Sequence, residues 1–413
     1  MKKVDIISFH PGRQHNLDQA FQIHRHFSNY RHITSLYFDP KTVGRWSRIS
    51  GKIGAALKKR SAALTSKVVT LNPWEEIKFL LRRRMGQKTK NYEYIDRNGA
   101  FQQWIIKRFA PPKVCIGYDT SSWVVFEQWK NKSFLILDLS IAVPQYKLDL
   151  AKQYHCSQEF ISAVTQDDAT FYQVYEKELQ LADLILCGSS FVGESCRAMG
   201  VPAEKIMVLP YGADLNRFQN PSIQRTGDGI IRVVFVGFVN YRKGADTVIK
   251  AWQNIMTLYP HVELHFYGGV LMDIPEGLER VYFHGFIAQD ALIEDLKKAH
   301  ISVLPSFFEG SSLAIYQSMA MGLAVITTPN AGSVVTHEED GLIVPYGSVE
   351  RFQNAVQLLI EDEQKRKEMA KKAQQNISRY SWDNYGDKLK SIIEKGMDHR
   401  VAKQGVAALE QTL

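Results

Sequence analysis

Only four cysteines occur in the 413 residues, Cys115, Cys156, Cys187 and Cys196, and no two have C-x-x-C spacing. This argues against a zinc site or a disulfide frame and leaves them as reduced core thiols. No apolar run approaches the roughly 20 residues that a helix needs to cross a bilayer. The opening Met1-Lys2-Lys3-Val4-Asp5-Ile6-Ile7-Ser8-Phe9 is too brief and interrupted for a secretory h-region. The chain is therefore expected to be cytoplasmic, soluble or peripheral on the inner face of a membrane. Internal repeats, low-complexity tracts and Asp-x-Asp pairs are also missing.

What is present is an ordinary globular composition, 45% apolar and 23% charged, in a length that suggests two domains. Short apolar runs of strand type alternate with amphipathic helical segments, the pattern of parallel sheets wound with helices. In the first half the expected strands are Val4–Phe9, Ile33–Phe38, Val114–Gly117, Phe134–Leu139 and Leu184–Cys187. In the second half they are Ile231–Gly237, Val262–Tyr267, Val281–Phe283, Ile301–Leu304, Ala324–Thr327 and Gly341–Val344. A long helix is expected over Glu350–Ile377. Between Arg217 and Gly229, Asn220-Pro221 and Gly227-Asp228-Gly229 break both periodicities and mark a linker. The fold class is α/β, with two doubly wound Rossmann-like domains.

Charge is unevenly spread. Between Lys41 and Lys113 stand eighteen Lys/Arg and four acids, an excess of fourteen in a chain whose net charge is +8. Segments 44–60 and 74–85 each read as a basic amphipathic helix, able to lie on an anionic membrane surface or to pack its apolar stripe on the core. No recognised nucleic-acid module accompanies the charge.

The densest chemistry follows the run Ile301–Leu304. Pro305-Ser306-Phe307-Phe308-Glu309-Gly310-Ser311-Ser312-Leu313 is a polar turn leading into a helix that Ser311 or Ser312 can cap. A helix start at the carboxyl end of a strand suits an anion such as a diphosphate, with Glu309 beside it accepting sugar hydroxyls. Glu309, Gly310, Leu313, position 317, Met319-Ala320, Gly322 and Val325-Ile326 resemble the signature of the family-4 glycosyltransferases, group 1 type. Where that family has a second Glu, which binds the nucleotide ribose, this chain has Gln317, whose amide can still accept and donate.

A second element agrees. Val233–Gly237, then Phe238-Val239-Asn240-Tyr241-Arg242-Lys243-Gly244 before a helix, resembles the family's paired cations for the donor diphosphate. Lys243 is kept, the usual Arg is Phe238, and Arg242 is a candidate substitute. His284-Gly285-Phe286-Ile287 resembles the stretch whose backbone contacts the base. Leu179–Phe191 and Leu209–Asp214 resemble the end of the first domain and the entry to the linker. In the first domain, Ser8-Phe9-His10-Pro11-Gly12-Arg13-Gln14-His15 stands where the family has a glycine-rich loop. There Gly12 allows close backbone approach, and Arg13 and His15 are candidates for charge or proton transfer. A His of the family is missing after Ile136–Leu139, so its role is vacant or taken by Asp138 or His15. His24, His26 and His32 are expected to face solvent, and no metal site is expected.

The resemblance implies a GT-B fold: an acceptor-side domain over 1–215, a nucleotide-sugar-binding domain over 216–381, and a final helix, about 382–413, packing back on the first. It implies a retaining, metal-independent hexosyltransferase without a cofactor. The donor would be a UDP- or GDP-sugar and the acceptor a glycan or lipid-linked saccharide, as in bacterial surface polysaccharide assembly. The residues singled out as catalytic are Glu309, Lys243 and His15. Those singled out for substrate are Gly12, Arg13, Arg242, Phe286, Ile287, Gly310, Ser311, Ser312, Leu313 and Gln317. Two rivals remain: an inert nucleotide-sugar-binding or scaffold protein of the same fold, and a nucleotide-sugar epimerase.

Overall fold

The structure, a computed structural model, describes residues 4–410 apart from 13, 42, 45–60, 62–63, 65–67, 85–90, 165–168, 216–217 and 219–227. Arg13, nearly all of the basic segment 44–60 and most of the expected linker lie outside the described residues.

Two parallel sheets form. The first contains β1 (Ile6–Phe9), β2 (Tyr30–Thr34), β3 (Val69–Leu71), β4 (Val114–Tyr118), β5 (Phe134–Leu139), β6 (Leu184–Cys187) and β7 (Ile206–Val208), in the order β3-β2-β1-β4-β5-β6-β7. The second contains β8 (Ile231–Val236), β9 (Val262–Tyr267), β10 (Val281–Phe283), β11 (Ile301–Leu304), β12 (Ala324–Thr327) and β13 (Leu342–Ile343), in the order β10-β9-β8-β11-β12-β13. Helices cover both faces, so β1, β4, β11 and β12 are buried along their whole length. In each sheet the order reverses between two central strands, β1 and β4 in one and β8 and β11 in the other. The crevice at such a reversal, outside the carboxyl ends, is where open parallel sheets bind ligands.

The lobes meet through aromatic rings. Phe307, fully buried after β11, lies edge-on to Phe160 at 5.0 Å and against Tyr346 at 4.6 Å. The expected helix over Glu350–Ile377 is two, Val349–Glu361 and Glu363–Asn376. Asp362 divides them, its side chain accepting from the Lys365 N–H at 2.8 Å and so starting a new helix. The last helix, Trp382–Glu410, lies against Asn16–His26 of the first lobe, with an Arg25–Asp383 ion pair and Gly386 close against Gln22.

His32 does not face solvent, as its sequence surroundings suggested. It sits inside the first sheet, its Nδ1 2.8 Å from Ser8 Oγ and its Nε2 3.3 Å from Asn16 Nδ2. Burial pushes it down to about 3, and burial likewise brings His10 down to about 4. Both lie below the value of about 6.5 expected in the unfolded chain, which therefore takes up protons that the folded chain refuses. Stability is thus fully present above pH of about 6.5 and is lost as pH falls from there toward the folded values. Chemical unfolding followed from about pH 7.5 to 5 is expected to show a decline of up to about 1.4 kcal/mol per pH unit for each histidine. A flat profile would contradict the burial of both rings.

Candidate active site

Two loops of the second lobe build the charged centre. The loop after β8 turns at Gly237 (φ 150°) and again at Gly244 (φ 73°), with Asn240 Oδ1 accepting from the Lys243 N–H at 3.0 Å. A Cβ at Gly244 would stand 2.0 Å from the Pro305 carbonyl oxygen, so only glycine lets this loop close onto the one after β11. That contact brings both cations to one carboxylate. Lys243 Nζ lies 2.7 Å and Arg242 Nη1 2.5 Å from Glu309 Oε1. The Arg242 carbonyl accepts from the Phe307 N–H at 2.8 Å, and the Glu309 N–H donates to the Asn330 carbonyl at 2.9 Å. Burial pulls the Lys243 pKa down, Glu309 pushes it back up and Arg242 adds to the lowering.

Beyond Glu309 the chain enters the helix Leu313–Ala320. Ser312 holds the N-cap position, yet its side chain makes no capping bond. Its Oγ is buried without a partner, as are Ser306 Oγ and Asn330 Nδ2 in the adjoining loops. Buried polar groups are normally satisfied, so the bare Ser312 hydroxyl at this helix start points to a polar ligand or ordered water there. Ser311 is engaged with Tyr316 through its hydroxyl at 2.9 Å, and Leu313 is open to solvent. Gln317 sits a turn further along the same helix, half-buried.

His15 is brought together with Asp138 in the first lobe. Its Nε2 is 3.0 Å from Asp138 Oδ1, and its ring stacks on Tyr211 at 3.8 Å. Asp138, at the end of β5 and fully buried, also accepts from Tyr211 OH at 2.9 Å and from Gln19 Nε2 at 2.5 Å. Gln19 in turn meets Tyr118 and, on the last helix, Tyr385. Gly12 donates its N–H to His10 Nδ1 at 3.1 Å.

The loop after β5 comes close to the second-lobe loop that carries Glu309. Ser140, two residues after Asp138, has its carbonyl oxygen where a Cβ on Gly310 would be, at 1.7 Å. The same loop is held by the Ser140 N–H on Asp119 Oδ1 at 3.0 Å. Phe286 and Ile287 stand on the loop after β10. The Phe286 ring is 76% exposed and edge-on to Phe238 at 5.3 Å, and a Cβ on Gly269 would meet both rings. Gln19, Tyr118, Tyr385 and Asn330 escaped the sequence reading, and Tyr211 entered it only as part of the approach to the linker, because nothing local marks a side chain whose partner is far along the chain.

Residues 231–362 match the family model Glycosyl transferases group 1. The chain is 24% identical over 244 residues to an uncharacterised glycosyltransferase of Methanocaldococcus jannaschii, covering 54% of this chain and 63% of that protein. It is 24% identical over 212 residues to the D-inositol 3-phosphate glycosyltransferase of Corynebacterium urealyticum, covering 45% and 50%. The chain thus spans less than two thirds of the length of these relatives. Sucrose-phosphate synthase from Thermosynechococcus elongatus superimposes with a TM-score of 0.63 at 17% identity, covering 95% of this chain and 99% of that one. Anabaena Alr3699/HepE in complex with UDP gives 0.62 at 15%, covering 95% and 100%. These structural likenesses show the fold, two Rossmann-like lobes of GT-B type, and the lobe that carries Lys243 and Glu309 matches the glycosyl transferases of group 1.

Proposed function

We propose that this protein transfers a sugar from a nucleoside-diphosphate sugar to a hydroxyl of a glycan or lipid-linked saccharide, with retention at the anomeric carbon. The observation that carries the reading is the meeting of Lys243, Arg242 and Glu309 on the loop that leads to a helix start whose Ser312 hydroxyl is buried and unpartnered. As the bond from the anomeric carbon to the diphosphate oxygen breaks, negative charge grows on the leaving group. Lys243, Arg242 and the N–H groups opening Leu313–Ala320 stabilise it. Arg242 fills the place that Phe238 leaves without a cation. Glu309 receives the sugar hydroxyls once the phosphates draw the two cations away. The acceptor oxygen attacks the face the diphosphate leaves, and its proton passes to the departing phosphate oxygen.

On the facing lobe His15, oriented by Asp138 and Tyr211, holds the acceptor side of the crevice. Gly12 and Gly310 allow backbone to approach the ligand and the opposite lobe. Gln317 holds the ribose, and the loop Phe286-Ile287 borders the base. UDP is the favoured nucleotide, since the structurally similar HepE is seen with UDP and with UDP-glucose. Surface polysaccharide assembly is the setting that suits such an acceptor.

Incubation with a panel of UDP- and GDP-sugars, with and without saccharide acceptors, tests this. Acceptor-dependent release of nucleoside diphosphate together with a glycosylated product is expected. Binding without release would favour the inert protein, and conversion of the donor sugar with no acceptor would favour the epimerase.

A further inference from the structure

Phe160 is placed by its own stretch of chain. Ser157 Oγ accepts from the Phe160 N–H at 3.1 Å, which caps the short helix Gln158–Val164 and fixes Phe160 in its first turn. The Cys156 N–H donates to the Ala151 carbonyl at 2.9 Å and ties this segment to the helix Pro144–Gln153. From there the ring reaches the second lobe, where it is buried edge-on to Phe307 at 5.0 Å and to Tyr241 at 5.8 Å. Tyr241 stands two residues before Lys243, and Phe307 two before Glu309. One first-lobe side chain therefore touches both loops of the charged centre.

Within the second lobe those loops share the Phe307 N–H on the Arg242 carbonyl and the close approach of Gly244 to Pro305. Both are contacts of backbone, to which Phe160 adds a side-chain wedge from the opposite lobe. Lys147, buried on Pro144–Gln153, extends the brace. Its Nζ is 4.8 Å from the Phe308 ring, which the Arg242 guanidinium approaches at 5.8 Å. Edge-on rings and cation–ring contacts favour particular geometries, so a close-packed group of them resists displacement. We propose that Phe160 is a positioning residue for the donor site: wedged against Tyr241 and Phe307, it holds the loops of Lys243 and Glu309 at the separation their ion pair requires. That this centre binds a donor rests on the transferase reading, whereas the wedge itself does not. At a reacting centre a misplacement of about 1 Å can cost about a hundredfold in rate.

Competitive acetylation of the whole chain with acetic anhydride, read lysine by lysine by mass spectrometry, tests the proposal. In the parent Lys243 is expected to label slowly, being 12% exposed and paired with Glu309 at 2.7 Å. In Phe160→Ala its labelling should rise about tenfold as the loop opens locally, while Lys390, on the last helix, labels as in the parent. Phe160→Leu restores apolar volume and should bring the rate most of the way back. Tyr241→Ala removes the same contact from a half-buried position and should reproduce the rise even where Phe160→Ala does not fold. On the transferase reading, turnover per folded molecule of Phe160→Ala also falls about ten- to a hundredfold, with the dissociation constant of UDP changed less than about threefold. Unchanged labelling of Lys243 in the folded variants, or a rise shared equally by Lys390, would overturn the proposal. A parent that transfers no sugar, but whose Lys243 still responds to Phe160→Ala, would count against the transferase reading and leave the wedge standing.

Discussion

Lys243→Ala is expected to lower the turnover number for sugar transfer by about a hundred- to a thousandfold, the range seen when one preorganised charge-stabilising donor is removed. The reason lies in where the ammonium sits. It is largely buried, 2.7 Å from Glu309, on a loop held by two positive-φ glycines, so it is placed before the leaving group acquires charge. Arg242→Ala should cost less, because the guanidinium is 30% exposed and water can replace part of it. Glu309→Gln should separate the roles further: nucleoside diphosphate binding is kept or strengthened, since the cations are released, while transfer falls because the sugar loses its acceptor. Isothermal titration with UDP or GDP alongside steady-state kinetics reads all three. Full transfer activity in both Lys243→Ala and Glu309→Ala would reject the assignment.

Asp138→Ala is expected to destabilise the first lobe by about 3–5 kcal/mol, since each buried polar group left without its partner costs about 1–3 kcal/mol. The carboxylate is fully buried and takes bonds from His15, Tyr211 and Gln19, so its removal strands three polar groups and leaves a void. Asp138→Asn keeps the volume and should lose less stability, but its amide cannot serve all three donors at once. Calorimetric unfolding measures the loss. The crevice is affected as well, since Ser140 two residues on carries the contact with Gly310. A melting temperature within a degree of the parent for Asp138→Ala would show that the network contributes nothing.

Most of the second lobe could be read from residue patterns, because a parallel strand buried on both faces is a continuous apolar run. Val262–Tyr267, Ile301–Leu304 and Ala324–Thr327 stand where expected. In the first lobe β2 begins at Tyr30 rather than Ile33, since Tyr30 and His32 look polar and are buried with their polar atoms bonded to Ser8 and, for His32, also to Asn16. The edge strands Val69–Leu71 and Ile206–Val208 were invisible, being three residues long and partly exposed. The helix Asn91–Arg108 lacked a clear apolar stripe because Asn98 and Gln102 are buried between Ile95 and Ile105 on its inward face.

The candidate site divides the same way. Lys243 and Glu309 were accessible because each lies in a short strand–loop–helix element with its own glycine and charge. Their meeting at one oxygen depends on the order of β8 and β11 in the sheet. The approach of His15 to Asp138 depends likewise on the crossing from β1 to β5, 123 residues apart. No local pattern encodes such a distance.

The central claim is that a nucleoside diphosphate is held where the loop after β8 meets the start of Leu313–Ala320. A crystal structure of the protein with UDP or GDP, whichever binds, tests it most directly. The account predicts the two phosphates between Lys243, Arg242 and the N–H groups of residues 311–313, with Asn330 Nδ2 or Ser312 Oγ acquiring a partner. Phosphates bound elsewhere, with Lys243 and Arg242 still paired to Glu309, would contradict it.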